Sequence, residues 1–508
     1  MLSKQIKSLI TCCNYLKKEL KHQSEDSENI IKESERIAAA NEKAMSKELD
    51  NAYDTIQKLY ETNLDLLEQL KKYKRKSKLN SKNSNIPTSS EPFKTTCNSR
   101  TKSDKKVGGQ KGHKRHETKL HKDVDKVVTK FVKQPPRAAI PVYSDVNKIM
   151  YYITQEVDMV LEARITETRY FIDENKEELD EQEMKEYQIS PLKYADHFKA
   201  IVLYLNSKGV IAYKRLCNIL NELSDNKINI SEGSIVNWIK EFENQSKETR
   251  ENILNEILSQ PCIHADETGN PIGGNLEWLQ VMANDKGTLY YSTDIRGYDE
   301  NGILPLLQEY TGCVVHDHFK PYYTYLENSE HAECNAHILR ELLASIELDN
   351  NVASAKLHKL MQTMIHERNE LVRAGKTEME VSVIETYESE YQDIIETELE
   401  RYQKENPNIE KKYEQQHIKL FRRMLEYKEN HLLFLHDFRI PCTNNFGEQQ
   451  IRGFKIKRKV SGMVSKNMEM AESIAALWSV VQTCNIKDIR VLKTLEEIFK
   501  DENYLLSK

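Results

Sequence analysis

From Pro261 the hydrophobic pattern changes period, and that change constrains the fold more than any other feature of the chain. "PCIHADET" reads as one strand. "LEWLQVMAN" and "TLYYSTDI" read as two more, joined by "DKG", a good hairpin turn. A helix is expected over "NGILPLLQEY", and "GCVVHD" then forms a fourth, apolar strand. Asp266 lies on the first of these strands and Asp317 ends the fourth.

A hairpin and strand, then a helix, then a strand is the order of a ribonuclease-H-like core. If the first and fourth strands pair side by side, Asp266 and Asp317 become neighbours although 51 positions separate them. Residues at i and i+2 share a strand face, so His264, Asp266 and Thr268 point one way and Glu267 the other. Asp266 is therefore the candidate ligand, with Glu267 supporting it or facing solvent.

A third carboxylate is expected from a helix passing the same edge. "TNNFGEQQIRGFKIKRK" offers Thr443 or Asn444 as a cap and then Glu448. Arg452, Lys455 and Lys459 follow on the face of Glu448. Taken alone, this helix shows an i,i+4 salt bridge. With two strand aspartates in reach, it reads as a metal ligand beside a phosphate-binding stripe. Three carboxylates suit magnesium or manganese, hard ions that prefer oxygen, and can hold two of them ~3.5–4 Å apart.

The stretch from Asp317 to Glu448 is too long for a simple connection, and residues 346–430 are strongly helical with a break at Pro407. A helical insertion in the core, 258–345 and 431–485, is the expected arrangement. Ahead of it, "HAECNAHILREL" sets His331, Cys334 and His337 at helical spacing. This pattern reads first as packing and second as a role near the active site. Zinc is disfavoured, because a closed structural site takes four ligands and only three candidates are present.

The rest of the chain divides by composition. Met45, Ala52, Leu59, Leu66 and Tyr73 recur every seven residues, offset from Leu49, Ile56, Asn63 and Leu70; Ile6, Leu9, Cys13, Leu16 and Leu20 make a weaker seam. Residues 1–76 therefore read as a coiled coil that joins copies of the chain, Asn63 fixing register, against the plainer reading of one long helix packed on its own protein. From Lys71 to Lys122 there are 17 Lys and Arg against 3 Asp and Glu, a surplus of 14. Within 77–122, "KKVGGQKGHKRH" lets a glycine-bearing backbone lie close to phosphates. Lys106, Gln110, Lys111, His113, Lys114 and Arg115 are the expected DNA contacts there; the alternative is a solvated linker. Residues 123–185 suggest a small β-rich module. Residues 191–250 hold three short helices, the last capped by Ser231, in a helix-turn-helix-like order that an ordinary bundle shares.

The net charge of −6 averages segments of opposite sign. Nine cysteines without a CxxC pair point to a reduced, cytoplasmic compartment. No apolar run approaches the ~20 residues of a membrane span, and "LITCC" near the start is too short for a signal peptide.

Taken together and in order, "GGQKGHKRH", "HADET", "VVHDHFKPYY", "CNAHILREL" and "TNNFGEQQIR" resemble insertion-sequence transposases of the sixty-six family, TnpC type. The resemblance implies an acidic-triad (DDE) transposase with Asp266, Asp317 and Glu448 as the triad. It places the family's Cys-x-x-His on Cys334 and His337, and its Asn-Asn on Asn444 and Asn445. It implies double-stranded DNA, both element ends and target, as partner, with accessory transposition proteins. Relatives commonly carry a cysteine-rich zinc module after the Gly-Gly-Gln motif; here the corresponding stretch has no cysteine. Gln449 stands where many relatives have Arg.

The reading is thus of an α/β ribonuclease-H-like catalytic core with a helical insertion, preceded by a helical DNA-binding region and an N-terminal coiled coil. Its activity is metal-dependent cleavage at terminal inverted repeats and strand transfer from a mobile element. The rivals are a catalytically silent coiled-coil regulator and a metal-dependent nuclease that never joins. Because the basic segment displaces counterions, DNA affinity is expected to fall about 10³-fold or more between 50 and 200 mM salt. Band shifts across a salt series would check this, and a flat response would remove that segment from the DNA.

Overall fold

The computed structural model describes residues 4–9, 11–12, 27–80, 83–84, 123–134, 139–144, 149–157, 162–167, 192–407, 409–461 and 465–501. The expected DNA contacts from Lys106 to Arg115 lie outside these, as do Cys13, Leu16 and Leu20 of the weaker seam. The chain forms two compact units, Met1–Lys94 with Glu341–Ala355 and Glu398–Leu420, and Thr95–Arg340 with Lys356–Thr397 and Phe421–Lys508.

The first unit is dominated by α1, Ser27–Lys78, an uninterrupted helix of 52 residues. Its sequence has no Gly or Pro to break it. Arg75, Lys76 and Lys78 in the last turn suit the negative end of the helix dipole. Leu49, Ile56, Leu59, Leu66, Leu70 and Tyr73 are all exposed. Within this unit Arg75 pairs with Asp349 and Asn83 donates to Glu347.

The second unit begins, among described residues, with a hairpin of β1, Ile140–Ser144, and β2, Ile149–Ile153. Four helices follow: α2, Asp196–Ser207; α3, Tyr213–Leu223; α4, Glu232–Gln245; and α5, Lys247–Leu258. Ser231 caps α4 by accepting from the Ser234 N–H, as its position in the sequence implied. These helices share one apolar cluster with the sheet: Leu203, Ile235, Trp238 and Phe242 are buried with Ile263, Leu279 and Val314.

The sheet contains β3, Cys262–Ile272; β4, Asn275–Asn284; β5, Gly287–Thr293; then, after the short helix α6, Ile303–Leu307, β6, Cys313–His316; and, after α7, Lys320–Tyr325, β7, Glu330–Glu333. The order is β5-β4-β3-β6-β7. β3–β4 and β4–β5 are antiparallel, whereas β3–β6 and β6–β7 are parallel. The first hairpin turns on Gly273 and Gly274, both at positive φ, which the two-residue turn requires. β6 is buried on both faces. Val314 enters the large cluster, while Cys313 and Val315 enter a smaller one with Ala332 and Ile440.

The remaining helices are α8, Asn335–Asp349; α9, Val352–Arg373; α10, Val381–Glu405; α11, Gln416–Glu426; α12, Lys428–His436; α13, Asn445–Ser461; α14, Met468–Ile486; and α15, Val491–Phe499. Parts of α8–α11 belong to the first unit. α14 covers the β5 edge, and its Ser479 and Thr483 hydroxyls accept the N–H groups of Tyr290 and Thr288 that a sheet edge would leave unpaired. No described helix is long and apolar enough to cross a membrane.

One local expectation is corrected. His331, Cys334 and His337 do not share a helix: His331 belongs to β7, and α8 starts at Asn335. The strand here is only four residues long, too short for its period to register against the helical run that follows it.

Candidate active site

The register of β3 against β6 brings the first two acids together. His264 pairs with Val315, and the same offset two residues on sets Asp266 level with Asp317, just past the end of β6. Adjacent strands lie ~4.8 Å apart, so residues level with one another are close. Asp317 Oδ1 accepts the Phe319 N–H at 3.0 Å, a turn that leads into α7. Burial pushes the Asp266 carboxyl well above the usual range, and the charges of Glu267, Asp317 and Glu448 push it further. All three acids are near enough to be felt at Asp266.

Asn444 brings α13 to this edge. Its Nδ2 donates to the carbonyl of Ala265 at 2.8 Å, and its Oδ1 lies 2.8 Å from His264 Nδ1. Burial lowers the His264 pKa, which keeps the ring neutral and makes Nδ1–H the donor to Oδ1. The Asn444 N–H reaches Cys334 Sγ at 3.1 Å, and its carbonyl accepts from the Glu448 N–H at 3.1 Å. One residue thus ties the start of α13 to β3 at the position beside Asp266. Gly447 permits the approach: a Cβ there would stand 3.0 Å from Asn444 Oδ1 and 3.3 Å from His264 Cβ.

Glu448 Oε1 is buried and has no hydrogen-bond partner among the described residues. A buried carboxylate oxygen left unpaired beside other acids is costly. A divalent cation would supply the missing partner, and carboxylate oxygens are the donors a hard ion takes. Asp266, Asp317 and Glu448 therefore fit such an ion chemically.

Glu267 does not face solvent. Its side chain is 2% exposed and accepts from Arg296 Nε at 2.8 Å and from the Tyr322 hydroxyl at 2.8 Å. Burial and the Asp317 charge push its pKa up to about 7, against the opposing pull of Arg296 and Tyr322. Of the two places the alternation rule left for Glu267, support for Asp266 or solvent, burial excludes solvent. Arg296 also stacks on Phe319, 4.1 Å from the ring centre, and lies 3.5 Å from Asp317 Oδ2. Sequence reasoning missed Arg296, which sits in no motif. Behind Asp317, Glu333 accepts from the Tyr323 hydroxyl and hydrogen-bonds His318 and His431. Burial would raise its pKa, but the two histidines hold it well below the carboxylate range.

The cations of α13 divide. Arg452 is exposed and stands 3.6 Å from Glu448 Oε2. Lys455 is half-buried; burial lowers its pKa, while Asp266 and Glu448 oppose that shift. Lys459 is exposed. Arg458 fastens the helix to β3 by donating to the carbonyl of Gly269 at 2.6 Å. Lys457 is buried and donates to the carbonyls of Asn206 and Ile211, which no sequence signal indicated.

Cys334 is buried, as the packing reading expects, and both it and His337 also lie beside Glu448. His337 Nε2 is 4.0 Å from Glu448 Oε1. Their third companion is Glu448; His331 instead hydrogen-bonds His316. Asn445 is exposed at the start of α13.

A family model described as "Transposase IS66 family" matches residues 191–472, more than half of the chain, a span that includes Asp266, Asp317 and Glu448. A second, "Family of unknown function (DUF6444)", matches residues 3–119. No curated protein matches the chain.

Glu267 yields a pH prediction for the metal-free protein. Its folded pKa of about 7 exceeds the ordinary value of 4.5, so below 4.5 it is neutral in both states and costs nothing. As pH rises through 4.5 to about 7, the unfolded chain releases the proton first and stability falls. Thermal unfolding in chelator should show wild type losing up to about 3 kcal/mol relative to Glu267→Gln across that window. A constant gap would mean that Glu267 is not buried as described.

Proposed function

We propose, on the premise that the chain belongs to the IS66 transposase family, that it cuts and joins DNA at a site built from Asp266, Asp317 and Glu448. The observation that carries this reading is that the buried Asp266 carboxyl, its pKa raised by burial, also feels the charges of Asp317 and Glu448, which come from remote segments. The strand order β5-β4-β3-β6-β7, with its antiparallel and parallel halves, supports a ribonuclease-H-like core. The helices between Asp317 and Glu448 support the reading of 346–430 as an insertion.

Asp266, Asp317 and Glu448 would hold two magnesium or manganese ions. When bound, such ions polarise the attacking water or 3′-hydroxyl and stabilise the leaving oxygen. The chain's own residues set the geometry. Asn444 holds Glu448 to the strand that carries Asp266. Glu267 and Tyr322 fix Arg296 beside Asp317, which orients that carboxylate and offsets part of its charge. Arg452, Lys455 and Lys459 lead away from Glu448 along α13 as a track for the phosphates of an element end. The basic linker 77–122 extends the same attraction to the terminal inverted repeats and target. Phosphodiester hydrolysis frees a 3′-hydroxyl, and that hydroxyl then attacks target phosphate, displacing one strand end.

The apolar seam of α1 supports self-association through a coiled coil. Its leucines and isoleucine are exposed in the single chain, at a/d spacing.

Two experiments test these readings. With labelled element ends and magnesium, Asp266→Ala, Asp317→Ala and Glu448→Ala should each lower cleavage and joining by about 100-fold or more. Unchanged activity in any one would overturn the assignment. Band shifts without cleavage would point to a silent DNA-binding protein, and cleavage without strand transfer to a nuclease. Separately, Leu59→Lys with Leu66→Lys should lower the assembly mass seen by light scattering. An unaltered mass would exclude the seam as the interface.

A further inference from the structure

Cys334, His337 and Glu448 form a donor set of a different character from the acids beside them. One donor atom from each, Cys Sγ, a His nitrogen and a carboxylate oxygen, lies within 4.8 Å of the other two. Ligands at 2.0–2.3 Å from a tetrahedral ion stand about 3.5 Å apart, so a small side-chain rotation closes the group around one. The frame for it is built. Cys334 is clamped between β7 and α8: its N–H donates to the carbonyl of His316 at 2.9 Å, and its sulfur accepts the Asn444 N–H. The His337 N–H donates to the Cys334 carbonyl at 3.0 Å, which sets the imidazole in the first turn of α8. Glu448 brings the buried oxygen that has no hydrogen-bond partner among the described residues. Magnesium does not take sulfur, whereas zinc-like ions bind thiolate, imidazole and carboxylate together.

We propose that Cys334, His337 and Glu448 bind one thiophilic divalent ion of the zinc class, and that its binding withdraws Glu448 from the magnesium site and inhibits the enzyme. The ion bonds to Cys334 sulfur, the thiol S–H bond breaks, and the proton leaves to solvent; no electron is transferred. Water fills the fourth position. The binding site stands on the geometry alone; the inhibition rests on the active-site reading above.

Cobalt(II) is the probe, added to the full-length, metal-stripped protein. One equivalent should produce a thiolate-to-metal charge-transfer band, and added zinc should abolish it. Cys334→Ser should remove the band. His337→Ala, at a partly exposed position on the helix, should weaken cobalt affinity tenfold or more while the protein keeps its fold. A missing band, or the same band and titration in both variants, would overturn the site. In the cleavage assay, zinc should inhibit in the presence of excess magnesium. Cobalt binding that depends on Cys334, in a protein that never cleaves DNA with magnesium, would support the metal site and overturn the active-site reading. Normal cleavage with zinc bound would overturn the inhibition.

Discussion

The parallel pairing of β3 with β6 carries the rest of the site. Side chains alternate along a strand, so a slip of one residue in this register would move Asp266 out of level with Asp317. The pairing is secured by burial on both sides of β6. Val314 cannot leave the large apolar cluster, nor Cys313 and Val315 the smaller one, without exposing apolar surface. Packing remote from the acids thus determines where the acids meet. The helix that supplies Glu448 is then referred to the same strand through the two hydrogen bonds of the Asn444 amide, so all three acids take their positions from β3.

That arrangement concentrates negative charge where water is scarce, and the fold answers it in several ways. Arg296, held between Glu267, Asp317 and the Phe319 ring, places a permanent cation within reach of two carboxylates. Glu448 occupies the first turn of α13, where the helix dipole favours an anion. Lys455 adds a positive charge that feels both Asp266 and Glu448. These devices leave the Asp266 pKa still well raised and Glu448 Oε1 without a hydrogen-bond partner among the described residues. The Cys334 sulfur and the His337 imidazole lie beside the same carboxylate.

Much of this is legible in the sequence, for a physical reason. Hydrophobic period and turn chemistry are local, so the strands around Asp266 and Asp317, the Ser231 cap and the long α1 helix could be read directly from spacing. Glu448 was singled out by its position ahead of a cationic helix face. What spacing could not reveal was contact between segments. It could not tell that the reverse face of β3 was covered, so Glu267 was left with two alternatives and Arg296 was unnoticed. It placed His331 with Cys334 and His337 because a four-residue strand is too short to break a helical pattern. The buried Lys457 looked like one more member of a basic run.

The sequence by itself determined the order of elements and the residue types at their ends, because these follow from the preferences of neighbouring residues along the chain. Tertiary structure alone decided which carboxylates feel one another's charge, which are paired with arginine, and which buried oxygen, among the described residues, lacks a hydrogen bond. Those outcomes depend on strand register and helix docking, and both are selected by burial summed over residues hundreds of positions apart.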